Sequence, residues 1–199
     1  MKNLYLRSML AAACAVTLAA CGGSGGNLYL GGQVYGLAKT GLILQNGSEE
    51  LPVASGSSSF YFTKLINTDD RYDIKIKQQP AGAVCTITNG SGKASRYSVT
   101  TAVVSCITNT YVLSGSITGL TADGLHLVMG STGTSPLAGA TAYEFKAVAD
   151  GAAYGISILT QPTGLTCRFQ GSKSADASDT VGTMGSAATT AATLDCTPQ

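Results

Sequence analysis

The chain holds a single histidine, His126, so any hydrolase chemistry that needs a histidine general base would rest wholly on that residue. It sits in Gly124-Leu125-His126-Leu127-Val128, where the two leucines face one way and the imidazole the other, the pattern of a solvent-facing strand position. Serines are plentiful, but none stands in a Gly-x-Ser-x-Gly elbow leading into a helix, and the Gly/Ser strings read as turns. Carboxylates cluster as Glu49-Glu50, as Asp69-Asp70 with Asp73, and as Asp176 with Asp179. Oxygen ligands of this kind could hold calcium, but none follows a loop with alternating ligands and a closing glutamate. They read as solvated turn acids. The chain has no Trp, so a sugar platform between paired acids is also poorly supplied. No cofactor, no metal and no catalytic residue is expected.

The elements that would position any site begin after an address segment. Lys2 and Arg7 form a short basic region, and Met9 to Ala20 follow as an uncharged Ala/Leu-rich run, too short for a stable membrane span but of signal-peptide length. The run closes on Leu18-Ala19-Ala20-Cys21, which resembles the lipobox of bacterial lipoprotein precursors at all four positions. That resemblance implies cleavage before Cys21, acylation of its sulfur and then of its amine, and a bilayer partner held through the acyl chains, since two or three chains anchor stably where one does not. Cys14 is a poorer lipidation candidate because almost no apolar run precedes it. Gly22 follows the cysteine; the sorting scheme that this resembles leans towards the outer membrane when that residue is not aspartate. Residues 1–20 are thus expected to be a signal peptide and 21–30 a lipidated, Gly-rich flexible tether.

Removing residues 1–20 leaves ten basic and eleven acidic residues, a net charge of −1. Such a surface offers no field for nucleic acid, and no nucleic-acid partner is expected.

The remainder reads as one unit written twice. Gly36-Leu37-Ala38-Lys39-Thr40-Gly41-Leu42 returns as Gly119-Leu120-Thr121-Ala122-Asp123-Gly124-Leu125. Tyr72-Asp73-Ile74-Lys75-Ile76 returns as Tyr154-Gly155-Ile156-Ser157-Ile158, and Gln79-Pro80-Ala81-Gly82-Ala83-Val84-Cys85 as Gln161-Pro162-Thr163-Gly164-Leu165-Thr166-Cys167. The copies are placed at 31–109 and 112–199. Within them Tyr72, Ile74 and Ile76 alternate with charged residues, Phe60 and Phe62 share a face, and Val99 to Cys106 alternates less cleanly. Short alternating runs parted by Gly, Asn, Asp and Pro predict an all-β fold of two tandem antiparallel β-sandwiches.

Four cysteines remain once Cys14 is removed and Cys21 acylated, and four allow three pairings. Equivalent copies should pair internally, which selects Cys85 with Cys106 and Cys167 with Cys196. Export makes oxidation expected. Zinc would need close cysteine or Cys/His spacing, and a redox site a C-x-x-C motif; neither is present.

The run Gly56-Ser57-Ser58-Ser59-Phe60-x-Phe62, with Leu65 and Tyr72-x-Ile74-x-Ile76, is similar to prealbumin-like sandwich modules of regulatory domains and surface stalks. The cysteine-closed repeat also looks like that of uncharacterised lipoproteins of Gram-negative bacteria. Modules of the first kind act mainly as spacers or binding domains. Tyr29 is the one aromatic between the lipid anchor and the first copy, so any tyrosine surface is expected on the domains, where Tyr35, Tyr61, Tyr97, Tyr111 and Tyr143 could mark it. Residues 31–109 carry seven basic and five acidic groups, and 112–199 three and six, so the copies have opposite charge. Lys75 and Lys77 lie on the polar face of one strand. The expectation is a cell-envelope lipoprotein that works without catalysis as a spacer or binding module, with an accessory subunit of an envelope or secretion assembly as the alternative and a hydrolase or carbohydrate-active enzyme behind both.

Overall fold

The computed structural model describes residues 26–199 as seventeen strands in four sheets, with no helix among the described residues. Cys14, Cys21 and the signal segment lie outside the described residues. The first copy contains β1 (Leu30–Tyr35), β2 (Leu42–Asn46), β3 (Glu49–Val53), β4 (Ser59–Tyr61), β5 (Arg71–Gln78), β6 (Ala83–Thr88), β7 (Ser91–Lys93) and β8 (Val99–Thr108). The second contains β9 (Thr110–Thr118), β10 (His126–Met129), β11 (Thr132–Thr134), β12 (Ala142–Ala149), β13 (Ala153–Thr160), β14 (Leu165–Phe169), β15 (Asp179–Thr183), β16 (Thr189–Thr190) and β17 (Leu194–Pro198).

Each copy is a two-sheet sandwich, and the two share one topology. The first pairs its strands as β4-β1-β8-β6 and β3-β2-β5-β7; the second repeats this as β12-β9-β17-β14 and β11-β10-β13-β15. The ladders are antiparallel except where the first strand of a copy meets its last: β1 runs parallel to β8, and β9 parallel to β16 and β17. A copy therefore takes in its chain at one end and releases it at the other.

Two separate cores fill the sandwiches. Leu30, Val34, Phe60, Ala102 and Val104 from one sheet meet Leu42, Leu44 and Ile74 from the other, all at most 4 % exposed. Leu113, Phe145, Phe169 and Leu194 meet Leu127 and Ile156 in the second copy. Burying an aliphatic or aromatic side chain of this size contributes about 1.5–3 kcal/mol. The alternation of β5 is realised, with Ile74 fully inward and Arg71, Asp73, Lys75 and Lys77 outward. The blurred pattern before Cys106 has a physical cause. Three residues of β1 (Leu30 to Gly32) oppose four of β8 (Val99 to Ala102), a bulge that resets which side chains face the core.

The copies begin slightly earlier than their repeats suggest. Leu28 is buried and bridges to Ile66, so the last residues of the expected tether belong to the first sandwich. The second starts at Thr110, leaving Asn109 as the one residue between β8 and β9.

The repeated Gln-Pro-x-Gly-x-x-Cys segment works as a clamp. Pro80 accepts from the amide of Ala83 and Pro162 from that of Leu165, across turns in which Gly82 and Gly164 take positive φ values of 75° and 72°. The side chain of Gln79 then accepts from the amide of Cys85 and donates to its carbonyl, and Gln161 does the same to Cys167. Each cysteine so held lies directly opposite its partner on the neighbouring strand, forming the disulfides Cys85–Cys106 and Cys167–Cys196 that the repeat predicts.

Tyr143, a candidate for a recognition surface from its residue type, is instead a core residue, 2 % exposed. It occupies the place that Phe60 has in the first copy, and its extra hydroxyl donates to the carbonyl of Ala192 at 2.6 Å. That carbonyl lies in the break between β16 and β17, where ladder partners are missing. Burial pushes the Tyr143 phenol well above its ordinary value.

Both bridges constrain the unfolded chain over separations of 21 and 29 residues. Replacing Cys85 and Cys106 together by Ala should destabilise the first sandwich by about 3 kcal/mol in denaturant titration, leaving the second transition in place.

Candidate functional site

The sites suggested by residue type disperse once the chain is folded. His126 does lie outward on β10, and its Nδ1 is 2.8 Å from the hydroxyl of Ser135, but the ring rests over Gly133 on the adjacent strand. Among the described residues no carboxylate hydrogen-bonds to this pair. The acids are each occupied nearby. Glu49 accepts from the Thr63 amide and hydroxyl and the Lys64 amide, and these bonds hold its carboxyl below the ordinary range although partial burial opposes them. Glu50 pairs with Lys77, Asp69 with Lys93 and Asp73 with Lys75. Asp70 caps Asn67, Asp176 caps Ser178, and Asp179 accepts from Ser172. Among the described residues no group of three His, Cys, Asp or Glu side chains is close enough to hold a metal.

Two features do gather side chains into an arrangement with a consequence. The first is the joint between the copies. Asn109 is held from both sides: its amide donates to the carbonyl of Gly82, and its carbonyl accepts from the amide of Asp150. Asp150, at the end of β12, is the buried charged residue of the described chain, with its side chain 8 % exposed. Lys39 of the first copy reaches across and places its Nζ 2.6 Å from both the Oδ1 and the main-chain oxygen of Asp150. Backbone approach is close as well, since a Cβ on Gly82 would lie 2.5 Å from the Asp150 carboxyl carbon. The Lys39 hydrogen bond, and then the nearby Ser186 hydroxyl, hold the Asp150 carboxyl below its ordinary value.

This chemistry is private to the joint. In the repeat alignment Lys39 corresponds to Ala122 and Asp150 to Thr68, so neither outer end carries the matching half of the pair. The backbone that surrounds it is nevertheless repeated. Asp69 and Gly151 both take positive φ, and Gln199 donates to Gly164 as Asn109 does to Gly82. A charge pair added to one junction of a repeated frame joins two copies without propagating a third.

The second feature is the outer face of the β4-β1-β8-β6 sheet. Tyr29 and Tyr61 meet edge to face with centroids 6.5 Å apart, and Tyr35, Val84 and Ile107 stand out on the same face, each at least half exposed. The corresponding positions of the second copy are polar or smaller: Glu144 for Tyr61, Thr118 for Tyr35, Thr166 for Val84, Thr197 for Ile107 and Val112 for Tyr29. Of the other tyrosines singled out by sequence, Tyr97 is exposed beneath Arg96 and Tyr111 is half-buried. Lys39 and Asp150 could not be found by motif, because their only signal is that they break the repeat.

Gly82 and Gly164 have nearly the same φ, and a Cβ at Gly164 would meet nothing within 4 Å. Gly82→Ala and Gly164→Ala should therefore cost similar backbone strain, of order 1 kcal/mol. Only the first should loosen the joint, read as broadened inter-copy distances in spin-label measurements. The joint should also depend on acid. A carboxyl whose folded value is lowered contributes its stability above the ordinary 3.8 and loses it as pH falls through the lowered value. The same distance distribution should widen only as pH falls below 3.8 in the native protein and be wide at neutral pH in Asp150→Asn. No protein-family model matches the chain, and no curated protein matches its sequence.

Proposed function

We propose that this protein is a lipid-anchored cell-envelope protein, attached through acylated Cys21, that acts without catalysis as a short stiff spacer carrying its second sandwich away from the membrane. The observation that carries the reading is the joint: one connecting residue, bonded on both sides, with a part-buried Lys39–Asp150 pair across it. Tandem domains joined by a flexible linker would move independently, whereas these hydrogen bonds order one copy against the other. Parallel pairing of first and last strands supports the same reading, because it sends the chain out at the end opposite to where it came in.

A second reading has its own support. The outer edge of β6 has no strand partner among the described residues, and the cross-strand pair Val84 and Ile107 beside it is 53 % and 77 % exposed. An accessory subunit that receives a partner strand on that edge would use those groups.

The anchoring part of the proposal is open to a direct test. Cys21→Ala should move the protein from the membrane fraction to the soluble fraction, and the mature N-terminal peptide of the native protein should carry the mass of its acyl chains. An unchanged membrane fraction would refute the anchor. Crosslinking in cells that captures one dominant partner through β6 would favour the accessory subunit.

A further inference from the structure

We propose that the end of the first sandwich where the chain enters seats against the bilayer, with Tyr29, Tyr61 and Tyr97 in the interfacial headgroup layer. The proposal rests on the lipid-anchored reading above and adds a contact surface to it.

Three independent placements converge on this end. Strand direction is the first. Tyr29 immediately precedes β1, Tyr97 lies two residues before β8, and Tyr61 is paired opposite Gly31 at the start of β1. The amide of Tyr29 donates to the hydroxyl of Ser98, and its carbonyl accepts from the amide of Val99, which ties the two tyrosine-bearing segments together. The joint with the second copy lies at the other end of these strands.

Reach is the second. Tyr29 is the eighth residue after Cys21 in the sequence. At no more than about 3.5 Å per residue, the Cα of Tyr29 lies within about 28 Å of the Cα of Cys21 even at full extension. The entering end cannot leave the vicinity of the membrane.

Chemistry is the third. Tyr29, Tyr61 and Tyr97 are 58 %, 50 % and 69 % exposed, and each presents an apolar ring with a hydroxyl that can stay hydrated. That is the amphipathic character which enriches tyrosine where hydrocarbon meets water. Tyr29, Tyr61, Phe62, Thr63, Ser98 and Thr100 line a shallow, largely apolar groove of about 630 Å³ beside the first two of these rings. Tyr61 lies flat against Gly31, where a Cβ would come within 2.5 Å of the ring, so part of its conformational entropy is already spent. Covering Gly31 explains why an aromatic ring stands at 61, but does not account for the exposed Tyr29 beside it or for Tyr97. The second copy, held away from the membrane in the spacer reading, has Val112 and Glu144 at the positions of Tyr29 and Tyr61.

The chain contains no Trp, so a single introduced tryptophan is an unambiguous reporter. Tyr29→Trp, Tyr61→Trp and Tyr97→Trp would each be prepared in the acylated protein and reconstituted in phosphatidylethanolamine vesicles containing brominated phosphatidylcholine. Val181→Trp, at an exposed position of the second copy, is the control. The three first-copy reporters should be quenched at least two-fold more strongly than the control. Floating, acylated protein whose three reporters are quenched no more than Val181→Trp would overturn the seating while leaving the anchor intact. An unmodified Cys21 with no flotation would overturn both. Reporters shielded from aqueous acrylamide in cell envelopes but untouched by brominated lipid would assign the surface to a protein or glycan and overturn the proposal. Hydrogen exchange of the unsubstituted protein gives a check that needs no variant: residues 28–31 and 95–100 should be protected on vesicles relative to Cys21→Ala in solution, and equal exchange would count against the seating.

Discussion

The parallel pairing of the first and last strands of each sandwich is the constraint on which the rest of this structure depends. A purely antiparallel meander with an even number of strands returns its chain to the end where it started, and a second copy would then fold back beside the first. Here β1 lies against β8 and β9 against β17 in the same direction, so each copy has an entering end and a leaving end. Tandem repetition becomes end-to-end stacking, and a single residue, Asn109, suffices to connect the copies. The cysteines follow the same logic. Cys106 and Cys196 lie on the last strands, and their bridges to β6 and β14 fix those strands within their sheets, where they hold the parallel pairing in place.

End-to-end stacking creates an interface between two loops, which have few apolar groups to bury. The joint is therefore polar. A buried ion pair is a poor source of net stability, since removing two charges from water costs several kcal/mol per ion and the attraction returns about as much. Its value at a joint is geometric. An unpaired Asp150 carboxylate at 8 % exposure is costly, so arrangements that separate it from Lys39 are disfavoured and one relative orientation of the copies is selected. The opposite net charges of the two copies, visible in composition, come to a focus in this one pair.

The two copies share a backbone and differ in what they show to solvent. Equivalent glycines, Gly36 and Gly119, approach the carbonyls of Cys106 and Cys196 to within distances that no side chain could share. Glycines opposite aromatic rings recur too, with Tyr72 over Gly92, Tyr143 over Gly115 and Tyr154 over Gly182. With Tyr61 over Gly31, four tyrosines of this chain are therefore packing devices that cover bare backbone, which is why residue type alone was a poor guide to a recognition surface. Tyr29, Tyr35 and Tyr97, which stack on none of these glycines, remain as surface features, and they are confined to the first copy.

Local patterning sufficed for much of this. Period-two alternation, turn glycines and an internal repeat specify strands, sandwich class and cysteine pairing, because each depends on neighbours within a few residues or on equivalence between copies. Other features needed the folded chain. The bulge at Thr100-Thr101 depends on one residue of β1, Gly31, facing two of β8, about seventy positions apart. Tyr143 repeats the inward position of Phe60, but the acceptor that lets a hydroxyl be buried there, the Ala192 carbonyl 49 positions away, is visible only in the folded chain. Lys39 and Asp150 are separated by 111 positions, and each looks like a solvated surface charge until the parallel strand pairs bring the ends of the two copies together. Sequence by itself determined the elements and their repetition; tertiary structure decided their direction, and direction decided which residues meet.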